Sequence, residues 1–129
     1  MSELRKILIL DPSPIFSNTL KEVIRTSETH VDVTEATDTD QAEAILKKDG
    51  VDVVFLDIAF PQNNGIQFIA AIKRMAPEAC IVVLSSHDSA EYKEASIRKG
   101  ADYFLSKDRS SGLRLLDVIH EAVRGGGNA

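Results

Sequence analysis

The 129-residue chain has one cysteine, no tryptophan and no apolar run approaching the roughly 20 residues that cross a bilayer. The single thiol, Cys80, lies inside the apolar run CIVVL with no second cysteine to pair with. That excludes a disulfide framework and leaves a small buried thiol, which suits a reducing, cytoplasmic setting. The amino-terminal stretch MSELRKILIL has no long apolar region before its first acid, so neither secretion nor membrane insertion is expected. Surplus positive charge is also absent. Fifteen Lys and Arg stand against twenty Asp and Glu, a net charge of -5, which works against neutralising phosphates and so against direct nucleic-acid binding. Internal repeats, low-complexity stretches and internal linkers are missing too.

What is present is ordinary for a soluble domain: 43% hydrophobic and 27% charged residues, enough chain to bury one core without metals or disulfides. Residues 1–124 read as one domain and the tail GGGNA, 125–129, as flexible or as the start of a linker. KILIL is a short apolar run ending at Asp11, after which Pro12, Ser13 and Pro14 stop a strand and open a helix, with Ser13 as N-cap and Pro14 at the first helical position. Phe16, Leu20, Val23 and Ile24 then recur at helical spacing. Val31 to Ala36 alternates as a strand, and Thr39 to Lys48 forms a helix with Ala42, Ile45 and Leu46 inward, ending at Gly50.

The third strand, in VDVVFLDIAFPQNNG, is apolar from Val53 to Leu56, delivers Asp57 to its carboxyl end and breaks into a loop closed by Asn64 and Gly65. An unbroken apolar run bounded by turn residues predicts a strand buried on both faces. A helix with Ile66, Ile69, Ile72 and Met75 on its inner stripe follows, closed by Pro77. Cys80 to Leu84 is the fourth strand, ending in Ser85 and Ser86. A polar helix over about Ser89 to Lys99 has a thin apolar stripe of Ala95, Tyr92 and Ile97 and is expected to pack lightly. Gly100 caps it. Tyr103 to Leu105 make the fifth strand, with Lys107 after it, and a last helix from about Ser110 to Arg124 is expected to bury Leu113, Leu116, Ile119 and Val123. Strands alternating with helices at such short spacing predict an α/β, doubly wound five-stranded parallel sheet of flavodoxin-like shape.

In a parallel sheet Asp11, Asp57, Ser85 and Lys107 reach the same edge, where open α/β sheets bind ligands. Two carboxylates suit a hard ion such as Mg2+, and an ammonium and a hydroxyl suit a phosphoryl group. Together they point to phosphoryl transfer onto Asp57. A strand-end Asp also serves as a plain turn cap, Lys107 as a solvated charge, Ser85 as a chance serine, and Phe104 as ordinary core. His30, His87 and His120 share no metal-ligand spacing and read as surface or loop residues, with His87 near the crevice.

At these residues the chain resembles the receiver domain of bacterial two-component response regulators, over almost its whole length. The matching pieces are ILILD, VVFLDIAFPQNNG, VVLSS and GADYFLSKD, in that order and spacing. The resemblance implies a (βα)5 receiver fold in which Asp57 is phosphorylated by a sensor histidine kinase or phosphotransfer protein. It implies metal ligation by Asp11, Asp57 and the Ala59 backbone carbonyl, phosphate pairing by Lys107, a switch hydroxyl at Ser85 and an aromatic switch at Phe104. It also implies a non-enzymatic signalling role, a downstream effector domain or protein, and an output and homodimerisation face within residues 89–124. Two positions depart from the family pattern. Pro12 stands where a second, directly metal-binding acid is usual, so Mg2+ binding is predicted to be weak, because even an outer-shell ligand partner is worth about 10 to 100-fold in metal affinity. Asp108 stands where many receivers have proline.

Three other readings compete. A degenerate receiver binding partners without phosphorylation is favoured by Pro12. A haloacid-dehalogenase-type phosphatase using Asp57 needs an acid two residues on, where Ala59 stands. A flavin protein wants a phosphate-cradling first loop and stacking aromatics, against DPSPI and no tryptophan.

Overall fold

The structure is a computed structural model that describes residues 4–48, 50–87, 89–108 and 112–125. Five strands and five helices alternate along it: β1 (Arg5–Leu10), α1 (Pro14–Ser27), β2 (Val31–Ala36), α2 (Thr39–Lys48), β3 (Val53–Asp57), α3 (Gly65–Met75), β4 (Cys80–Ser85), α4 (Ala90–Lys99), β5 (Tyr103–Ser106) and α5 (Gly112–Arg124). All strand pairs are parallel, in the order β2-β1-β3-β4-β5. The chain therefore reverses its winding between β1 and β3, the position that opens a crevice at the strand carboxyl ends.

Side chains alternate across a strand, and here the alternation divides the core into two layers. Ile7, Ile9, Val53, Phe55, Val82 and Leu84 face α1 and α5, meeting Leu20, Ile24, Val118 and Ile119. Leu8, Leu10, Val54, Leu56, Ile81 and Val83 face the other way, meeting Leu46, Phe68, Ile69 and Ile72 of α2 and α3. From Val53 to Leu56 β3 is wholly buried, as its unbroken apolar run predicts, and each such side chain is worth about 1.5–3 kcal/mol relative to exposure.

Local chemistry sets the helix ends. Ser13 caps α1, its hydroxyl accepting from the Phe16 N–H at 3.2 Å with Pro14 next to it. Gly100 ends α4 at φ 122°, a backbone state that favours glycine. Gly65 is required for another reason: a Cβ there would lie 2.5 Å from the Ile58 Cα, inside the turn that follows β3.

Three packing expectations change. On α4 the buried residue is Ser96, while Tyr92 and Ile97 are exposed, so this helix is held with less apolar contact than its sequence stripe implies. On α5 Ile119 and Val123 are buried as expected, but Leu116 is exposed and Val118 and Ala122 are buried in its place, because the two faces of this leucine-rich helix differ by only one residue of phase. On α3 Phe68 joins the core and packs edge-on against Phe60, at 6.2 Å between ring centroids. The side chain of Leu113, the expected helix start near Ser110 and the tail beyond Gly125 lie outside the described residues. Among the described residues no helix is long and apolar enough to cross a membrane.

Candidate functional site

Register brings the strand-end residues to one level. Leu10 pairs with Leu56, so Asp11 follows β1 beside Asp57; Asp57 pairs with Leu84, and Ser85 pairs with Ser106, directly before Lys107. Parity then sorts them. Asp11, Asp57 and Lys107 continue the rows Ile7–Ile9, Val53–Phe55 and Leu105, which face α1 and α5. Phe104 lies with the opposite layer, as does the row Ile81–Val83 that Ser85 continues. The sheet thus brings two acids and the lysine together and sets the serine and the phenylalanine across from them.

The Lys107 ammonium lies 2.7 Å from Asp11 Oδ2 and 2.5 Å from Asp57 Oδ2. The two carboxylate side chains are only 1% and 5% exposed and the lysine 13%, so this is a nearly buried triad, in which the loss of any one partner leaves an uncompensated charge that water does not reach. The remaining carboxylate oxygens are used by the adjoining turns. Asp11 Oδ1 accepts from the Ser13 N–H at 2.8 Å, and Asp57 Oδ1 from the Ala59 N–H at 2.7 Å. Burial pushes the Asp11 carboxyl above the usual carboxylate range, aided by the nearby Asp57 charge; the Lys107 ammonium and the Ser13 N–H hold it back part of the way. The backbone keeps the lysine in place, since the Lys107 N–H donates to the Ser85 carbonyl at 2.7 Å.

The other expected residues are close but differently engaged. The Ser85 hydroxyl is fully buried and points into its own loop, donating to the His87 carbonyl at 2.8 Å and accepting from the His87 N–H at 2.9 Å. Phe104 is buried among the side chains facing α2 and α3. The Ala59 carbonyl accepts from the Asn63 N–H at 2.8 Å, in the tight turn that Asn63, at φ 65°, helps to close. Pro12 is exposed and carries no oxygen on its side chain. Beside Asp57 a cavity of about 550 Å³ is lined by Ala59, Gln67, His87 and Tyr92 among others. The His87 ring meets Tyr92 edge-on there, so this histidine borders the site as its sequence position suggests.

Sequence reasoning missed one neighbour of the site and one tie at the far end of α1. Phe16 of α1 places its ring under Lys107, with the ammonium 4.1 Å from the centroid. His120 is partly exposed, as a surface residue is expected to be, and with Arg124 it also pairs with the buried carboxylate of Glu28, tying α5 to the end of α1. Neither contact has a spacing signature, because each joins residues about ninety positions apart.

Residues 7–120 match the family profile described as the response regulator receiver domain. The chain is 32% identical over 123 residues to the transcriptional regulatory protein MctR of Rhizobium johnstonii, covering 95% of this chain and 56% of that protein. It is 33% identical over 129 residues to a protein-glutamate methylesterase/protein-glutamine glutaminase of Agrobacterium fabrum, covering 96% of this chain and 37% of that protein. It thus spans about half or less of the length of these two relatives. Among solved structures, the beryllofluoride-activated NtrC4 receiver domain dimer matches with a TM-score of 0.79 and 28% identity, over 93% of this chain and 97% of that one. With the crevice, the buried Asp–Asp–Lys triad and these matches agreeing, the chain belongs to the response regulator receiver domain family, the phosphorelay modules of two-component signal transduction.

Proposed function

We propose that Asp57 is the phosphoacceptor of this receiver and that its phosphorylation shifts the domain between two output surfaces. The observation that carries the reading is the Lys107 ammonium shared between Asp11 and Asp57 at the strand ends. Such a triad holds the nucleophile's charge in a nearly dry crevice and offers one cation that can follow that charge onto a phosphoryl group. In the transfer, an Asp57 carboxylate oxygen bonds to phosphorus as the bond from phosphorus to the donor imidazole nitrogen of a histidine kinase or phosphotransfer protein breaks. The leaving nitrogen keeps the electron pair. Lys107 then exchanges Asp57 for a phosphoryl oxygen while Asp11 retains its other side.

Asp57, the Ala59 carbonyl and Asp11 are the oxygens that would hold Mg2+, which when bound supplies charge neutralisation between Asp57 and the incoming phosphoryl group. These oxygens fit a hard ion, with fewer carboxylates than the family pattern because Pro12 contributes none; the affinity is accordingly weak. Among the described residues no cluster of three or more acidic, histidine or cysteine side chains is built to hold a metal by itself. Coordination would lean on water and on the bound phosphoryl group.

The switch follows from what Ser85 must change. To reach a phosphoryl oxygen the Ser85 hydroxyl gives up both bonds to His87, and the loop that begins there moves with it. Because α4 buries little more than Ser96, it opposes that motion weakly. The partners are a cytoplasmic histidine kinase or phosphotransfer protein on the crevice side and an effector domain or protein on the face within residues 89–124. The same face supports a homodimer, a reading aided by the dimeric state named for the beryllofluoride-activated relative. Beryllium fluoride with Mg2+ tests the proposal: amide resonances of residues 85–87, 90–99 and 103–106 shift in the wild type and stay fixed in Asp57→Asn. Unchanged spectra at millimolar Mg2+ would refute it.

A further inference from the structure

We infer that Phe16 is a positioning residue for Lys107, holding the ammonium over the crevice by its ring face while the lysine changes partners; this rests on the reading of Asp57 as phosphoacceptor. The ring and the ammonium are 4.1 Å apart, within the distance at which a cation is attracted to an aromatic face. The lysine side chain is 13% exposed, so water competes little for it.

A closed circuit of contacts sets the ring in place. Asp11 Oδ1 accepts from the Ser13 N–H, the Ser13 hydroxyl accepts from the Phe16 N–H, the Phe16 ring lies under the Lys107 ammonium, and that ammonium returns to Asp11 Oδ2. Pro12 and Pro14 stiffen the segment between the first and third of these residues, each fixing its own φ. The same parity that turns Asp11, Asp57 and Lys107 toward α1 makes the first turn of α1 the element able to supply the ring.

The circuit matters when Asp57 ceases to be a carboxylate. In the resting state the ammonium has two carboxylates and the ring. Once Asp57 carries a phosphoryl group its oxygen no longer offers that charge, and Asp11 and Phe16 are the protein contacts that remain to keep the lysine facing the phosphoryl oxygens. A face-on ring suits this because its attraction varies little as the ammonium slides across it, whereas a hydrogen bond is directional.

Two readouts separate this inference from the function it rests on. Acylation of individual lysine amines by a dilute acyl ester, followed by mass spectrometry, requires no phosphorylation. Lys107 in Phe16→Leu is expected to label about three- to tenfold faster than in wild type, while Phe16→Tyr stays at the wild-type rate. Replacing Phe16 by phenylalanines with successive ring fluorines keeps the ring's shape and drains its negative face. Labelling of Lys107 should rise, and the rate of Asp57 phosphorylation by acetyl phosphate should fall, stepwise with fluorine number. A merely structural ring would give no such gradient. Equal Lys107 labelling in the wild type, Phe16→Leu and the fluorinated series overturns the inference. The labelling gradient in a protein that never gains a phosphoryl group would uphold the positioning contact and overturn the proposed function.

Discussion

Replacing Lys107 by methionine keeps most of the aliphatic stem and removes the charge that Asp11 and Asp57 share. The two carboxylate side chains are 1% and 5% exposed, so screening by solvent cannot take over, and two like charges are left facing each other. Stripping one partner from a buried ion pair costs about 3–5 kcal/mol. For a domain of this size that is a fall of about 10–20 °C in Tm, read by circular dichroism at neutral pH and low salt. Adding Asp11→Asn to the variant should restore much of the loss. Millimolar Mg2+ should stabilise Lys107→Met more than wild type, because an ion that binds the folded crevice replaces the missing charge. A loss under about 1 kcal/mol, the worth of an exposed pair, would refute the triad as described.

Four further outcomes follow from the same contacts. Pro12→Asp supplies the missing oxygen ligand and should tighten Mg2+ binding by about 10-fold or more, measured by amide shifts on titration; no gain would remove Pro12 as the cause of weak binding. Ser96→Ala deletes a buried hydroxyl that has no hydrogen-bond partner among the described residues and should raise stability by about 1 kcal/mol in urea unfolding, against the usual direction for core changes. Gly65→Ala drives a Cβ into the Ile58 backbone and should cost about 1–3 kcal/mol and weaken beryllium fluoride binding, since that turn carries Ala59. Burial pushes the Cys80 thiol up to about 12, so alkylation at pH 8 should be slow in the folded protein and rapid in urea; fast native labelling would contradict its placement.

Much of the fold was legible because patterns one element long determine it. The run Val53–Leu56, the Ser13–Pro14 start of α1 and the alternation of β2 place their elements within a residue or two, and the parallel order follows from strand–helix alternation. The site was legible for a related reason: once the strands are parallel, a residue after each run reaches the same edge. What pattern cannot supply is side-chain parity between distant strands. Parity decides that Lys107 meets both acids, that Ser85 turns instead to His87, and that Phe16 lies under the lysine. Helix phase is similarly weak where one face holds as many apolar residues as its neighbour, which is why Leu116 of α5 is exposed where its spacing predicts burial. The burial of Glu28 has no signature in the sequence because its partners, His120 and Arg124, lie on a helix that only the tertiary fold brings alongside.

The proposed switch requires that Asp57 accept a phosphoryl group. Intact-mass spectrometry after incubation with acetyl phosphate and Mg2+ tests it directly. The wild type should gain the mass of one phosphoryl group, lose it to hydroxylamine as an acyl phosphate does, and map it to the peptide containing Asp57; Asp57→Asn should gain nothing. No mass gain in the wild type, or an equal gain in Asp57→Asn, would contradict the account.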